Sequence, residues 1–589
     1  MLGAVSDRAR DLRYLIADLF FVLARFPVAV ANGVAGFWRS LPVVTRRRLV
    51  AAIGVAAVVL VLWGLVVPNL PCALPGGDEC PPDDDAIELA PAAASAYVHV
   101  NLDPETDQLD VASEVAARVP LVSRQLIGQA ATLLDAPAVL GAASEPWFGG
   151  EAAAIMVGAG PGAERVQLLE STDPDASRRF AESLASGVSE TSTYRDIEIA
   201  EDRRDLATAV IEDFVALGTA QGIRAVIDVA TEAEGADSLA DDSVATDALD
   251  ELPDHRVAEA YLSPDGIEAL VASPGGALAS FEPLVDSPAS RGAALALSAD
   301  DDGFAVAIRS LLDAERSEAE PGFFAAFEEF SPELPAELPP DSLAYVGLGQ
   351  PQGTIAALLR QATVRAPGIA AGFTDLIERL RSAADVDLQR DLLEALGGEA
   401  AFAVVPRAPL EPEADVVPAT STPTPYLELL ANDVDSDRAR EALARLQGPI
   451  ARSFDPELGA PVFEQERIGD VEAQVLRLSP VAQIVYATFD SMLVIANDAA
   501  AVERLAADDD DGLAEADRYR DTVAGLPDEP AFIAFLDLRG LLAFAERSGL
   551  ADDASYSSFA PDLRRLGSFG LAVTDDEGVL EVDARLVVD

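Results

Sequence analysis

LAPAAASAYVHV, residues 89–100, returns as LPPDSLAYVGL, residues 338–348, with Tyr97 matching Tyr345 at an offset of 248. FGGEAAAIMV (148–157) returns as LGGEAAFAVV (396–405) at the same offset. STDPDASRR (171–179) then matches ANDVDSDRA (431–439), so Asp173, Asp175 and Arg178 answer Asp433, Asp435 and Arg438. LPDHRVAEAYL (252–262) matches LPDEPAFIAFL (526–536), and ALSADDDGFAVAIRSLL (296–312) matches AVTDDEGVLEVDARLVV (572–588). Five blocks in one order are read as two copies of one domain, a first repeat over 87–315 and a second over 335–589. Each is long enough to bury a core of its own.

Within a copy the hydrophobic period switches back and forth. AYVHV, EAAAIMV, RVQLLES, RDIEIAED and RVAEAYL are short alternating or β-branched runs, the pattern of strands. VASEVAARVPLVSRQLIGQAATLLD and DASRRFAESLA carry three-to-four spacing, the pattern of helices, and Pro120 should kink the first or split it in two. Asp173 and Asp175 stand where helix N-caps belong. The Asp-Asp-Gly and Asp-Glu-Gly of the last block suit hairpin turns, with glycine supplying a positive φ. The fold class expected is α+β: a tandem duplicated extracytoplasmic domain with largely antiparallel sheets, preceded by one transmembrane helix.

That helix is LVAAIGVAAVVLVLWGLVV, residues 49–67, nineteen residues without a charge directly behind Arg46, Arg47 and Arg48. As a helix it is about 28 Å long, enough to cross the hydrocarbon core of a lipid bilayer. The three arginines set the topology, holding the N-terminus in the cytoplasm and sending the C-terminal domains outside. The preceding stretch is far longer than a signal-peptide n-region and no A-x-A site follows, so the anchor is read as uncleaved. Residues 1–48 form a cytoplasmic basic and amphipathic segment, in which 14–38 is broken by Asp18, Arg25 and Pro27 and should lie on the inner leaflet. A second membrane pass there is the alternative.

Residues 68–86 form a stalk. Cys72 and Cys80 lie on the oxidising side with Gly76–Gly77 between them, and a disulfide is expected, worth about 2.5 kcal/mol for so small a loop. Residues 316–334 are a Pro/Glu-rich linker whose Phe323, Phe324, Phe327 and Phe330 are read as pinning the copies together.

Charge divides at the apolar run. Eight arginines against three acids give +5 before it, and the remaining 33 basic and 98 acidic residues give −65 after it. So acidic an exterior argues against nucleic acid as a partner, because phosphate binding needs a basic face. It permits weak divalent-cation binding without requiring it. Every basic residue is arginine. Schiff-base, pyridoxal-phosphate and Walker-type chemistry, which need lysine, are therefore excluded.

Motif tests assign no catalytic, cofactor-binding or metal-ligating residue. The two histidines, His99 and His255, answer Gly347 and Glu529 in the second copy and are read as structural or surface groups. No H-x-x-x-H and no Gly-x-Ser-x-Gly elbow occurs. GAGPGA (158–163) fits the dinucleotide fingerprint by letter, but Pro161 sits inside it and a strand follows, so a tight turn is expected. The acidic runs 83–85, 300–302 and 508–511 lack the ligand spacing of an EF-hand and are read as solvated loops.

LAPAAASAYVHVNLDP and ELPPDSLAYVGL, the GGEAA strand and the two Leu-Pro-Asp segments resemble an uncharacterised bacterial family catalogued as domain of unknown function 3352. The resemblance covers most of 87–589. It implies a membrane-anchored envelope protein and brings no catalytic residues with it.

The function expected is that of a non-enzymatic, single-pass envelope protein whose duplicated acidic domain binds or scaffolds an extracytoplasmic protein or polymer. The alternative is a divalent-metal-assisted hydrolase acting through carboxylates. Clustered, buried carboxylates would favour the enzyme, and acids spread over the surface the binding module.

Overall fold

The computed structural model describes residues 82–589 except 104–105, 125–144, 185–187, 204–205, 273–286, 320–326, 355–387, 408–424, 454–461, 480–481, 508–511, 548–549, 553 and 577. The apolar run 49–67, Arg46 to Arg48, Cys72, Cys80, Phe323, Phe324 and the acidic run 508–511 lie outside the described residues. Among those described, no helix is long and apolar enough to cross a membrane.

The chain is mixed helix and sheet, and its strand pairs are antiparallel. It divides into two compact units. One holds the described residues from 82 to 325 with Pro561–Leu566 and Asp575–Asp589; the other holds Ala326–Ala560 and Gly567–Thr574.

The first unit contains β1 (Ala94–Asn101), β2 (Phe148–Val157), β3 (Glu164–Ser171), β4 (Val188–Tyr194), β5 (Ile197–Asp202), β6 (Ala207–Ile211), β7 (Phe214–Gly218), β8 (Ala258–Leu262), β9 (Ser290–Asp300) and β10 (Gly303–Leu312). They pair in the order β4, β5, β6, β7, β3, β2, β1, β8, β9, β10. Beyond β10 lies the last strand of the chain, β20 (Val579–Val588), paired antiparallel with it.

The second unit contains β11 (Ala344–Gly349), β12 (Glu399–Val405), β13 (Tyr426–Ala431), β14 (Phe463–Ile468), β15 (Val471–Ser479), β16 (Ala482–Phe489), β17 (Met492–Ala496), β18 (Phe532–Leu536) and β19 (Leu566–Asp576). Their order is β14, β15, β16, β17, β13, β12, β11, β18, β19.

Local chemistry explains the connecting elements. Helix α1 (Asp107–Arg118) ends at its C-cap Val119, because the residue before Pro120 is pushed away from helical backbone. Helix α2 (Pro174–Leu184) starts at Asp173, whose carboxylate accepts the amides of Asp175 and Ala176 at 3.1 and 3.0 Å. The Gly160–Gly162 turn joins β2 to β3 as a hairpin, so GAGPGA opens no helix. Residues 300–302 turn between β9 and β10, and Asp300 pairs with Arg585 at 2.7 Å.

Each unit has its own core. In the first, helix α3 (Ala220–Ala230) buries Ile223, Val226 and Ile227, its three-to-four stripe, beside Tyr97, Ile155, Leu168 and Ile211 of the sheet. In the second, Tyr345, Val475, Val494 and Phe535 form the centre, and Phe330 of the linker packs against them. Each such side chain contributes about 1.5–3 kcal/mol on leaving water.

Candidate functional site

Alternation along β1 puts Tyr97 and His99 on one face of the sheet. Residues directly opposite or two places diagonal across a strand pair share that face. His99 stands opposite Ala153 of β2 and Glu259 of β8, so Glu259 and the diagonal Glu151 turn toward the imidazole. Asp84 arrives from the segment before the short turn Ala86–Leu89, which is fastened to the sheet when the Ala86 amide donates to Glu151 Oε1 at 2.7 Å. The Tyr97 hydroxyl donates to Asp84 Oδ1.

The result is a buried histidine among three carboxylates. His99 has no exposed surface. Its Nδ1 lies 3.6 Å from Glu259 Oε1 and 4.0 Å from Asp84 Oδ2, and its Nε2 lies 3.6 Å from Glu151 Oε1. These distances exceed hydrogen-bond length, and among the described residues neither ring nitrogen nor Asp84 Oδ2 has a hydrogen-bond partner. Single donor atoms of Asp84, His99 and Glu151 lie within 4.8 Å of one another. Glu259 is held from behind by the Arg256 guanidinium.

Burial and charge act against each other here. Burial pushes the Glu151 carboxyl up to about 8 and Asp84 up to about 6, although His99 draws both down. Burial also works to raise Glu259, but His99 and Arg256 outweigh it and hold that carboxyl below its ordinary value. For His99 burial favours the neutral ring, and Glu259, Asp84 and Glu151 together outweigh it and raise the imidazole. Burial, then the neighbouring Asp84, drives the Tyr97 phenol far above its ordinary value.

Strands β11, β12 and β18 of the second unit carry a similar frame with a different filling. Tyr345 and Glu399 stand in the register of Tyr97 and Glu151, but Gly347 takes the place of His99 and Ile533 that of Glu259. Tyr345 therefore reaches Glu399 Oε1 directly, at 2.5 Å. Glu399 Oε2 accepts the amides of Glu333 and Leu334 at 2.7 and 2.9 Å.

Of the sequence-based expectations, His255 is exposed on its loop, as a surface group. The reading of 83–85 as a solvated loop needs correction at its centre. Asp84 turns into the first unit, its side chain only 11% exposed, because Tyr97 and the crossing segment draw it inward. The cluster was missed because no local motif encodes it. Its signal is dispersed: a His two residues after a Tyr, and a Glu in the strand after Leu-Pro-Asp.

A family model described as "Protein of unknown function (DUF3352)" matches residues 145–543. No curated protein matches the chain. Among solved structures, crystal form I of TP0453 is similar at 9% identity and a TM-score of 0.25, over 39% of this chain and 80% of that one. Crystal form III of TP0453 gives 10% identity and a TM-score of 0.25, over 39% and 81%.

Proposed function

The chain belongs to the DUF3352 family of proteins of unknown function, and from that premise we propose that it is a non-enzymatic, single-pass membrane-anchored envelope protein. Its duplicated acidic domain, outside the membrane, binds or scaffolds an extracytoplasmic protein or polymer. The observation that carries the anchor is the uncharged run 49–67 behind Arg46, Arg47 and Arg48.

Duplication is supported at several levels. The nine strands β11 to β19 pair in the order of β1 to β9. Tyr97 pairs with Ile155 and Tyr261 as Tyr345 pairs with Ala403 and Phe535. The Leu102 amide donates to Gly150 O at 2.6 Å and the Gln350 amide to Gly398 O at 2.9 Å, again 248 residues apart. Two copies that keep a frame while their buried polar fillings diverge suit a binding protein in which one copy has specialised. A hydrolase reading draws on the same carboxylates, but a histidine with no exposed surface gives a substrate no access.

Carbonate extraction and protease treatment of cells with an opened outer envelope test the anchor. The full chain should stay with the membrane, and its acidic part should be digested from outside. Release by carbonate, or protection of the acidic part while the N-terminus is cut, overturns the reading.

A further inference from the structure

We propose that Asp84, His99 and Glu151 bind one divalent transition-metal ion of the zinc class, with Glu259 as the carboxylate that orients the imidazole. This goes beyond the anchored-scaffold reading and does not depend on it, since every group lies in the first unit.

Geometry carries the inference. A histidine removed from water normally satisfies both ring nitrogens, yet both of His99 face carboxylates at distances too long for hydrogen bonds. Donors at about 2.1 Å from one tetrahedral ion stand about 3.4 Å apart. The 3.6 Å between Nε2 and Glu151 Oε1 is close to that spacing. Glu259, locked by Arg256, lies 3.6 Å from Nδ1, placed to accept that N–H once the ring settles on an ion at Nε2. Asp84, 4.0 Å from Nδ1, must close toward that ion. A nitrogen donor selects zinc and its neighbours over calcium or magnesium, which prefer oxygen alone. Charge agrees: with the metal-bound imidazole neutral, three carboxylates stand against one guanidinium, and a dication supplies the balance.

The second unit supplies an internal comparison. Glu399 and Tyr345 keep the structural half of the arrangement. Pro332, two residues before Leu334 as Asp84 is before Ala86, joins Gly347 and Ile533 in replacing Asp84, His99 and Glu259. Two of the three proposed ligands, Asp84 and His99, are thus lost together with the orienting Glu259, while Glu151 keeps a counterpart in Glu399. Fastening the crossing segment to the sheet does not need the lost groups.

The test uses the full chain, purified in detergent without a histidine tag, stripped by chelator and titrated with Zn²⁺ against a chromophoric competitor. One equivalent should bind. His99→Ala and Glu151→Gln should each weaken binding by about 100-fold or more, and Glu259→Gln by about 10–100-fold, the usual cost of an outer-shell partner. Glu428→Gln, a buried carboxylate of the other unit, should change nothing. His255→Ala, at an exposed loop position, leaves His99 as the one histidine of the chain. Its Cu²⁺ adduct should show nitrogen coupling from a single imidazole by electron spin-echo spectroscopy, displaced by Zn²⁺. This second readout requires no change at the site itself. Absence of a saturable equivalent, or of imidazole coupling, or full binding by His99→Ala, overturns the proposal and makes His99 a buried cation neutralised by its carboxylates.

Discussion

Tyr345 donates its hydroxyl proton to Glu399 Oε1 across 2.5 Å, and both groups are buried within the second unit. Tyr97, in the same register of the first unit, donates instead to Asp84, where the second unit has Pro332, and His99 fills the space that Gly347 leaves open. Two differences, glycine for His99 and Pro332 for Asp84, thus redirect a buried phenol from one carboxylate to another.

Glu399 gives the second unit a pH dependence of definite sign. Burial raises its carboxyl above the ordinary 4.5, against the opposing effects of Tyr345 and two backbone amides. A raised carboxyl contributes stability that is complete below about pH 4.5 and is lost as pH rises through its folded value. Glu399→Gln removes the titration. Its oxygen can accept the two amides and its nitrogen can donate to Tyr345. Melting temperature compared with the parent chain should favour Glu399→Gln near pH 8, with the advantage shrinking toward pH 4. A difference independent of pH would sink this account.

Gly347 is required by the tyrosine beside it. A Cβ at this position would collide with the Tyr345 hydroxyl and press on Ile533. Gly347→Ala should cost about 1–3 kcal/mol by overpacking, read by chemical denaturation. Tyr345→Phe removes the colliding oxygen, so the double variant should be more stable than the sum of the two single losses. Strict additivity would mean that the collision is relieved by backbone movement instead.

What the sequence made legible was local or periodic. The Asp173 cap, the break before Pro120 and the GAGPGA turn each depend on a few adjacent residues, and the antiparallel α+β class follows from alternation along the strands. The histidine cluster depends on register between strands more than fifty residues apart. His99 gains its surroundings only when β2, β8 and the segment before β1 are laid beside it. The pairing of β10 with β20 was equally out of reach, since the same alternation suits pairing with more than one strand.

Glu428 illustrates a buried charge that depends on one partner. Its side chain has no exposed surface, and Arg504 forms an ion pair with it from helix α4 (Ala499–Leu505). Arg504→Ala should cost about 3–5 kcal/mol near neutrality, the usual loss when one member of a buried pair is removed. Burial already raises this carboxyl, so the loss should lessen as acid protonates it. Replacing both residues, with Glu428→Leu beside Arg504→Ala, should recover most of the stability. Failure of that recovery would show that the pair positions β13 and does more than neutralise itself.

Arg309 and Asp583 tie the last strand to the first unit. They are 2.9 Å apart across β10 and β20, both largely buried, with Glu581 at 3.8 Å as a second anion. Burial raises the Asp583 carboxyl while Arg309 draws it back, so the ion pair and not solvent holds its charge. Asp583→Asn keeps the shape and removes the charge. Because Glu581 remains, the cost should fall below the roughly 3–5 kcal/mol of a pair left with no anion. The loss should also be local. Amides of β10 and β20 should exchange faster in hydrogen-exchange measurements, while those of β1 and β2, in the middle of the sheet, should keep their protection. Uniform loss across the sheet would instead mean that β20 folds and unfolds with the whole unit, as part of its cooperative core.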